Sequence, residues 1–149
     1  MKKLFLLGIM CFMAIAMNAQ VFVDLGLTSG TKWKAENQSG FYSYDEAITR
    51  FGNRLPTKEQ WEELEDECSW KWTGSEYKVT GPNGKSITLS VDGERLCDVS
   101  MNGAGTYGCY WSLTSINSDN AWGHYIDSSH VLMYVLGRCV GCSVRLVQN

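Results

Sequence analysis

The sequence predicts an α+β domain in which two short helices come early and a run of short antiparallel strands follows. Three observations predict it. Ser43 and Thr57 each stand three residues before a Glu or Gln, the capping-box spacing of a helix start. From Ser69 onward the apolar period changes from helical to alternating. Turn-forming pairs such as Asn83-Gly84 and Asp92-Gly93 then cut the rest of the chain into strand-length pieces.

Residues 1–19 stand apart from that domain. Lys2 and Lys3 precede an apolar run from Leu4 to Met17, and Asn18-Ala19-Gln20 closes it with a small residue at the expected cut. This is the layout of a secretory signal peptide, and a membrane helix would need a longer span. Met10 before Cys11 is too large for a lipid-anchored export signal. The expected organisation is a signal peptide over 1–19 and one domain over 20–149, with no membrane insertion after cleavage.

Within the domain, Val21–Trp33 reads as an opening strand and turn, bent at Ser29-Gly30. Ser43 caps a helix whose apolar face is Tyr44, Ala47, Ile48 and Phe51, and Gly52-Asn53 ends it. Pro56 holds Leu55 extended, and Thr57 caps a second helix from Lys58 to about Glu67 with Trp61, Leu64 and Cys68 on one stripe. Both helices are expected on one side of a sheet. Tyr77 and Val79, then Ile87 and Leu89, flank the hairpin turn Gly81-Pro82-Asn83-Gly84. Asp98–Thr106 reads as a loop, and strands follow at Tyr107–Thr114, Ala121–Asp127, Val131–Leu136 and Ser143–Val147.

Composition narrows the function classes. Cleavage removes two lysines and no acid, which takes the formal charge from −3 to −5. An acidic chain with no run of Lys or Arg argues against nucleic acid and anionic membrane as partners. Cleavage also leaves five cysteines, Cys68, Cys97, Cys109, Cys139 and Cys142, so at least one thiol is free or paired between chains. Buried thiols acting as small hydrophobes are the preferred reading, one disulfide is the alternative, and connectivity is not legible.

Candidate chemistry is sparse. Cys139-Val140-Gly141-Cys142 has CxxC spacing but leads into a strand, whereas a redox CxxC opens a helix that acidifies its thiol. His124 and His130 flank a turn with Asp127 nearby, and two scattered polar positions on a sheet describe them better than a metal pair. Neither a phosphate loop nor a nucleophile elbow occurs. No catalytic residue, metal ligand or cofactor is therefore assigned.

The succession VDLGLTSGTKW (Val23–Trp33), RLPTKEQWEEL (Arg54–Leu64), YKVTGPNGKSITL (Tyr77–Leu89), YGCYWSLTS (Tyr107–Ser115) and GCSVRLV (Gly141–Val147) resembles the FISUMP-type major paralogous domain family of exported bacterial proteins. The RLPT-x-x-x-W-E core is shared with relatives of formylglycine-generating enzymes. The resemblance implies a C-type lectin-like fold in which the N- and C-terminal strands pair and the C-terminal half presents a ligand site. It gives structural roles to Trp33, Arg54, Trp61, Trp111 and Arg145. The cysteine pattern of the formylglycine-generating relatives is absent, as are the EPN, QPD and WND motifs of calcium-dependent sugar sites.

The expected function is an exported, non-catalytic binding module whose partner is an extracellular protein or glycan. Val131–Leu136 is apolar on both faces, with no charge between His130 and Arg138. Such a strand is either covered twice or exposes a patch for a partner. The ligand-binding residues expected are Tyr110, Trp122, His130, Leu132, Tyr134, Leu136 and Val140, with Trp122 beside the Leu132–Tyr134–Leu136 face. Family patterns place Val131 and Met133 in the core and leave Leu132, Tyr134, Leu136, Cys139 and Val140 variable. Some exported proteins of this fold are diversified by retroelements that mutate adenines, and these variable occupants comply with that codon chemistry; ordinary divergence is the competing account. An enzyme of the formylglycine-generating type and a subunit of a surface or fimbrial assembly are the alternative functions.

Overall fold

The computed structural model describes residues 20–149, so the expected signal peptide lies outside the described residues. Strands β1 (Phe22–Asp24) and β2 (Lys32–Lys34) open the domain, followed by α1 (Tyr44–Phe51) and α2 (Lys58–Glu67). Next come β3 (Ser69–Trp72), β4 (Glu76–Thr80), β5 (Ser86–Ser90), β6 (Glu94–Arg95) and β7 (Met101–Asn102). The chain then runs through β8 (Tyr107–Ser115), β9 (Asn120–Asp127), β10 (Val131–Gly137) and β11 (Val147–Gln148).

Both helices start where side chains supply the missing acceptors. Ser43 Oγ accepts from the Glu46 amide while the Ser43 amide donates to Glu46, and Thr57 and Gln60 repeat the exchange. The strands form four small antiparallel sheets, β1-β2-β11, β10-β9-β8, β3-β4-β5 and β6-β7, rather than the single sheet expected. Tight turns divide them. At Gly93 (φ +77°) an added Cβ would lie 2.1 Å from the Asn102 carbonyl oxygen, so β6 closes tightly on β7, which lies inside the expected loop.

The ends of the described domain meet, although not first strand to last. β11 pairs with β2, Val147 opposite Trp33, and β1 occupies the other edge of β2. Nor is Ser143–Val147 one strand. Residues just before β11 make isolated bridges to three different segments, Gly141 to Arg95, Cys142 to Tyr42 and Ser143 to Tyr110, so no single ladder forms.

The sheet β10-β9-β8 is the centre of the domain. Its register places Tyr110, His124 and Met133 on one face and Cys109, Tyr125 and Leu132 on the other. The two helices cover opposite faces, which corrects the expectation of one shared side. Trp61 of α2 stacks on His124 (centroids 4.3 Å apart), whereas Tyr44 of α1 meets Trp111 edge to face at 5.3 Å. Buried Leu55 and Pro56 carry the chain around the end of β8, where the Leu113 amide donates to the Pro56 carbonyl.

Two apolar clusters follow from this arrangement. One gathers Trp33, Trp61, Leu64, Val79, Leu89 and Tyr110 with partly buried Val131 and Met133; the other gathers Tyr44, Ala47, Leu55, Trp111, Val144 and Leu146. Trp33, Trp61 and Trp111 have no exposed surface. Trp61 donates to the Trp111 carbonyl and Trp111 to that of Tyr42. Arg145 is buried and ties the C-terminal segment to the N-terminal one. Its Nε donates to Asn37 Oδ1, Nη1 to the carbonyls of Lys34 and Ala35, and Nη2 to that of Thr88. Arg54 is exposed, with its guanidinium 5.9 Å from the Phe51 ring. It belongs to the surface, because its stem can lie on an aromatic ring while its charge stays in water.

The cysteines correct the sequence reading most. Among the described residues two disulfides form, Cys97–Cys139 and Cys109–Cys142, and Cys68 is unpaired. The CxxC pair is thus divided between two bridges. Cys142 points into the core and Cys139 is exposed, so the two sulfurs face different partners. Two disulfides suit an oxidising, extracellular environment. Among the described residues no helix is long and apolar enough to cross a membrane.

Candidate functional site: a tyrosine groove on the central sheet

The α1-side face of the central sheet is only half covered. Over β8 it is sealed by α1 and the C-terminal segment, but over β9 and β10 it opens into a groove of about 450 Å³. Tyr107 of β8, Tyr125 of β9 and Tyr134 of β10 line it in a row across the three strands. Tyr107 and Tyr125 are stacked at 5.4 Å, and Tyr125 meets Tyr134 at 6.1 Å. The row follows from register: Tyr125 lies opposite Cys109 and Leu132, and Tyr107 and Tyr134 are its diagonal neighbours on the same face.

Leu132, Leu136, Val140 and Cys109 complete the apolar lining, and Glu94 supplies the charged group. The Cys109–Cys142 bridge braces the buried side of the groove. Cys97–Cys139 ties the residues following β6 to the loop that carries Val140, so two of its walls are linked covalently. Tyr134 is 51% exposed and so available to a ligand.

Burial and hydrogen bonding keep the Tyr107 and Tyr125 phenols protonated. Burial, then hydrogen bonding to Glu94, pushes the Tyr107 hydroxyl up to about 12. Tyr125 is raised by burial first and then by its bond to Asp127. Asp127 is held below the usual carboxylate range, chiefly by the amide of Ser129, and it also faces the Nδ1 of His130.

Four of the expected ligand-binding residues, Leu132, Tyr134, Leu136 and Val140, therefore come together around one groove. Three do not. Tyr110 is fully buried on the α2 side, with its hydroxyl donating to the Ser90 carbonyl. Trp122 lies opposite Val135, also on the α2 side, 5.0 Å from Lys58 Nζ; alternation along β9 separates it from Tyr125. His130 is exposed at the β9–β10 turn, bonded to Asp127 outside the groove lining. Tyr107, Tyr125 and Glu94 were missed. Tyr125 shares the parity of Leu132 only once the hairpin register is known, and Glu94 arrives from a separate sheet.

The other candidates are dispersed. His124 is fully buried under Trp61, with Nε2 2.8 Å from Glu65 Oε1 and Nδ1 without a partner, and it does not meet His130. Among the described residues no cluster of three or more His, Cys, Asp or Glu could hold a metal ion. Cys68 is half-buried, and burial pushes its thiol up to about 11, far from a reactive thiolate. Fold and groove define an α+β domain with a disulfide-braced aromatic cleft. Compared with protein-family models, curated proteins and solved structures, the chain finds no match.

Proposed function

We propose that this chain is an exported, non-catalytic binding module of the FISUMP type with a C-type lectin-like fold, and that it holds an extracellular ligand in the tyrosine groove. The observation that carries the reading is the groove itself: a half-open apolar cleft, walled by rigid strands and disulfides, with three aromatic rings in line. Aromatic rings give large contact area at low entropic cost, as recognition surfaces need. The fold assignment is supported by two short helices packed on a central antiparallel sheet and by β11 closing onto β2 near the start of the domain. The placement of Cys139 and Cys142 in separate disulfides speaks against a CxxC dithiol role for that pair.

The test compares single variants on the two faces of one sheet. Tyr134→Ser should abolish retention on a panel of host surface proteins and glycans, while Trp122→Ser retains it. Equal retention by both variants would remove the groove from the account.

A further inference from the structure

The groove is acidic at its edge and, among the described residues, has no Lys or Arg in its lining. Glu94 lines it, and Asp127 sits on the Tyr125 hydroxyl. The arginines beside it in sequence are held elsewhere. Arg95, next to Glu94, pairs with Glu46, and Arg138, between Leu136 and Val140, pairs with Asp45, both on α1. His130 on Asp127 is the other titratable group at this end.

The polar capacity of the groove is also largely committed. Tyr107 donates to Glu94 at 2.9 Å and Tyr125 to Asp127 at 3.2 Å. A sugar needs several donors and acceptors for its hydroxyls, and two of the three phenols already spend their hydrogens on carboxylates. A phenol that donates to an anion keeps an electron-rich ring face, which attracts a cation. Leu132, Leu136 and Val140 offer apolar surface for an alkyl stem.

Building on the binding reading above, we propose that the groove takes an arginine side chain of a partner protein. Its stem lies against Leu132 and Leu136, and its guanidinium lies over Tyr125 and Tyr134 with Glu94 facing it. Arginine suits this better than lysine, because a planar guanidinium both stacks on a ring and forks to a carboxylate. The formal charge of −5 over residues 20–149 favours encounter with such a basic partner.

The test uses the mature protein with isotope-labelled tyrosine and two short peptides that differ only by arginine or citrulline. The arginine peptide should shift the ring signals of Tyr107, Tyr125 and Tyr134 saturably, with an apparent affinity about ten-fold above the citrulline peptide. Glu94→Gln, which keeps an acceptor for Tyr107, should lower that affinity by roughly five-fold, and added salt should weaken it. Equal binding of both peptides, or shifts from neutral methyl glycosides alone, would overturn the arginine assignment and leave the groove reading standing. No tyrosine response to either peptide or to the glycosides up to about 10 mM would overturn both.

Discussion

Replacing Arg145 with Leu removes a buried guanidinium that joins three separate segments. Four hydrogen bonds disappear, from Asn37 Oδ1 at 2.8 Å, the Lys34 and Ala35 carbonyls at 2.9 Å and the Thr88 carbonyl at 2.6 Å. Charge-assisted bonds of this kind contribute about 1.5–3 kcal/mol each, but the buried cation also carries a desolvation cost that its loss returns. The two terms partly cancel, and the acceptors left without a donor set the net effect. Arg145→Leu should cost about 3–5 kcal/mol, which in a domain of this size lowers the melting temperature by roughly 10–20 °C. Guanidinium titration and thermal melts followed by tryptophan fluorescence measure it directly. Arg145→Lys should recover only part of the loss, since an ammonium cannot reach acceptors spread around a planar fork. A loss below about 1 kcal/mol for the leucine variant would refute the reasoning, because the four acceptors would then be satisfied without the arginine.

Three further outcomes follow from the same geometry. Trp61→Ala or Trp111→Ala should each cost about 3–5 kcal/mol in a denaturant titration, since both indoles are fully buried and hydrogen-bonded. Replacing Cys97 and Cys139 by Ser together should cost about 2–4 kcal/mol, the range for a bridge that closes a loop of 42 residues, and proteolysis near Val140 should quicken. Burial holds His124 below its ordinary value of 6.5 despite the opposing pull of Glu65, so the unfolded chain binds the extra proton first. Stability should therefore be level above about pH 6.5 and fall as pH drops below it, by at most about 1.4 kcal/mol per unit, and His124→Phe should flatten that limb in urea titrations.

The helices were legible because their signals are local. Ser43, Thr57 and their partners three residues on settle both starts, and the observed limits agree with that spacing. The positions of β8, β9 and β10 were legible for the same reason, through alternation and turns, whereas Ser143–Val147 alternates without forming one strand. What the sequence withheld is relational. The assignment of α1 and α2 to opposite faces depends on the path of Leu55 and Pro56 around β8, which no periodicity encodes. The placement of Trp122 with Tyr134 failed on register: directly opposed residues share a face, Trp122 opposes Val135, and Val135 points away from its neighbour Tyr134. Disulfide pairing depends on segments 42 and 33 residues apart, and spacing alone suggested the wrong kinship for Cys139 and Cys142. In the candidate site, the apolar half was legible from β10, while Tyr107 and Tyr125 became part of it only when three strands were set side by side.

The central claim is that the Leu132–Tyr134–Leu136 face recognises a ligand instead of completing the core. The most direct measurement changes these three residues to Ser together and records two quantities on one preparation: the melting temperature, and retention on immobilised host surface proteins and glycans that the unaltered protein binds. The account predicts that retention is lost while the fold still melts cooperatively, with only a modest decrease from the partial packing of Leu136 against the core. Collapse of the cooperative transition, or undiminished retention, would contradict it.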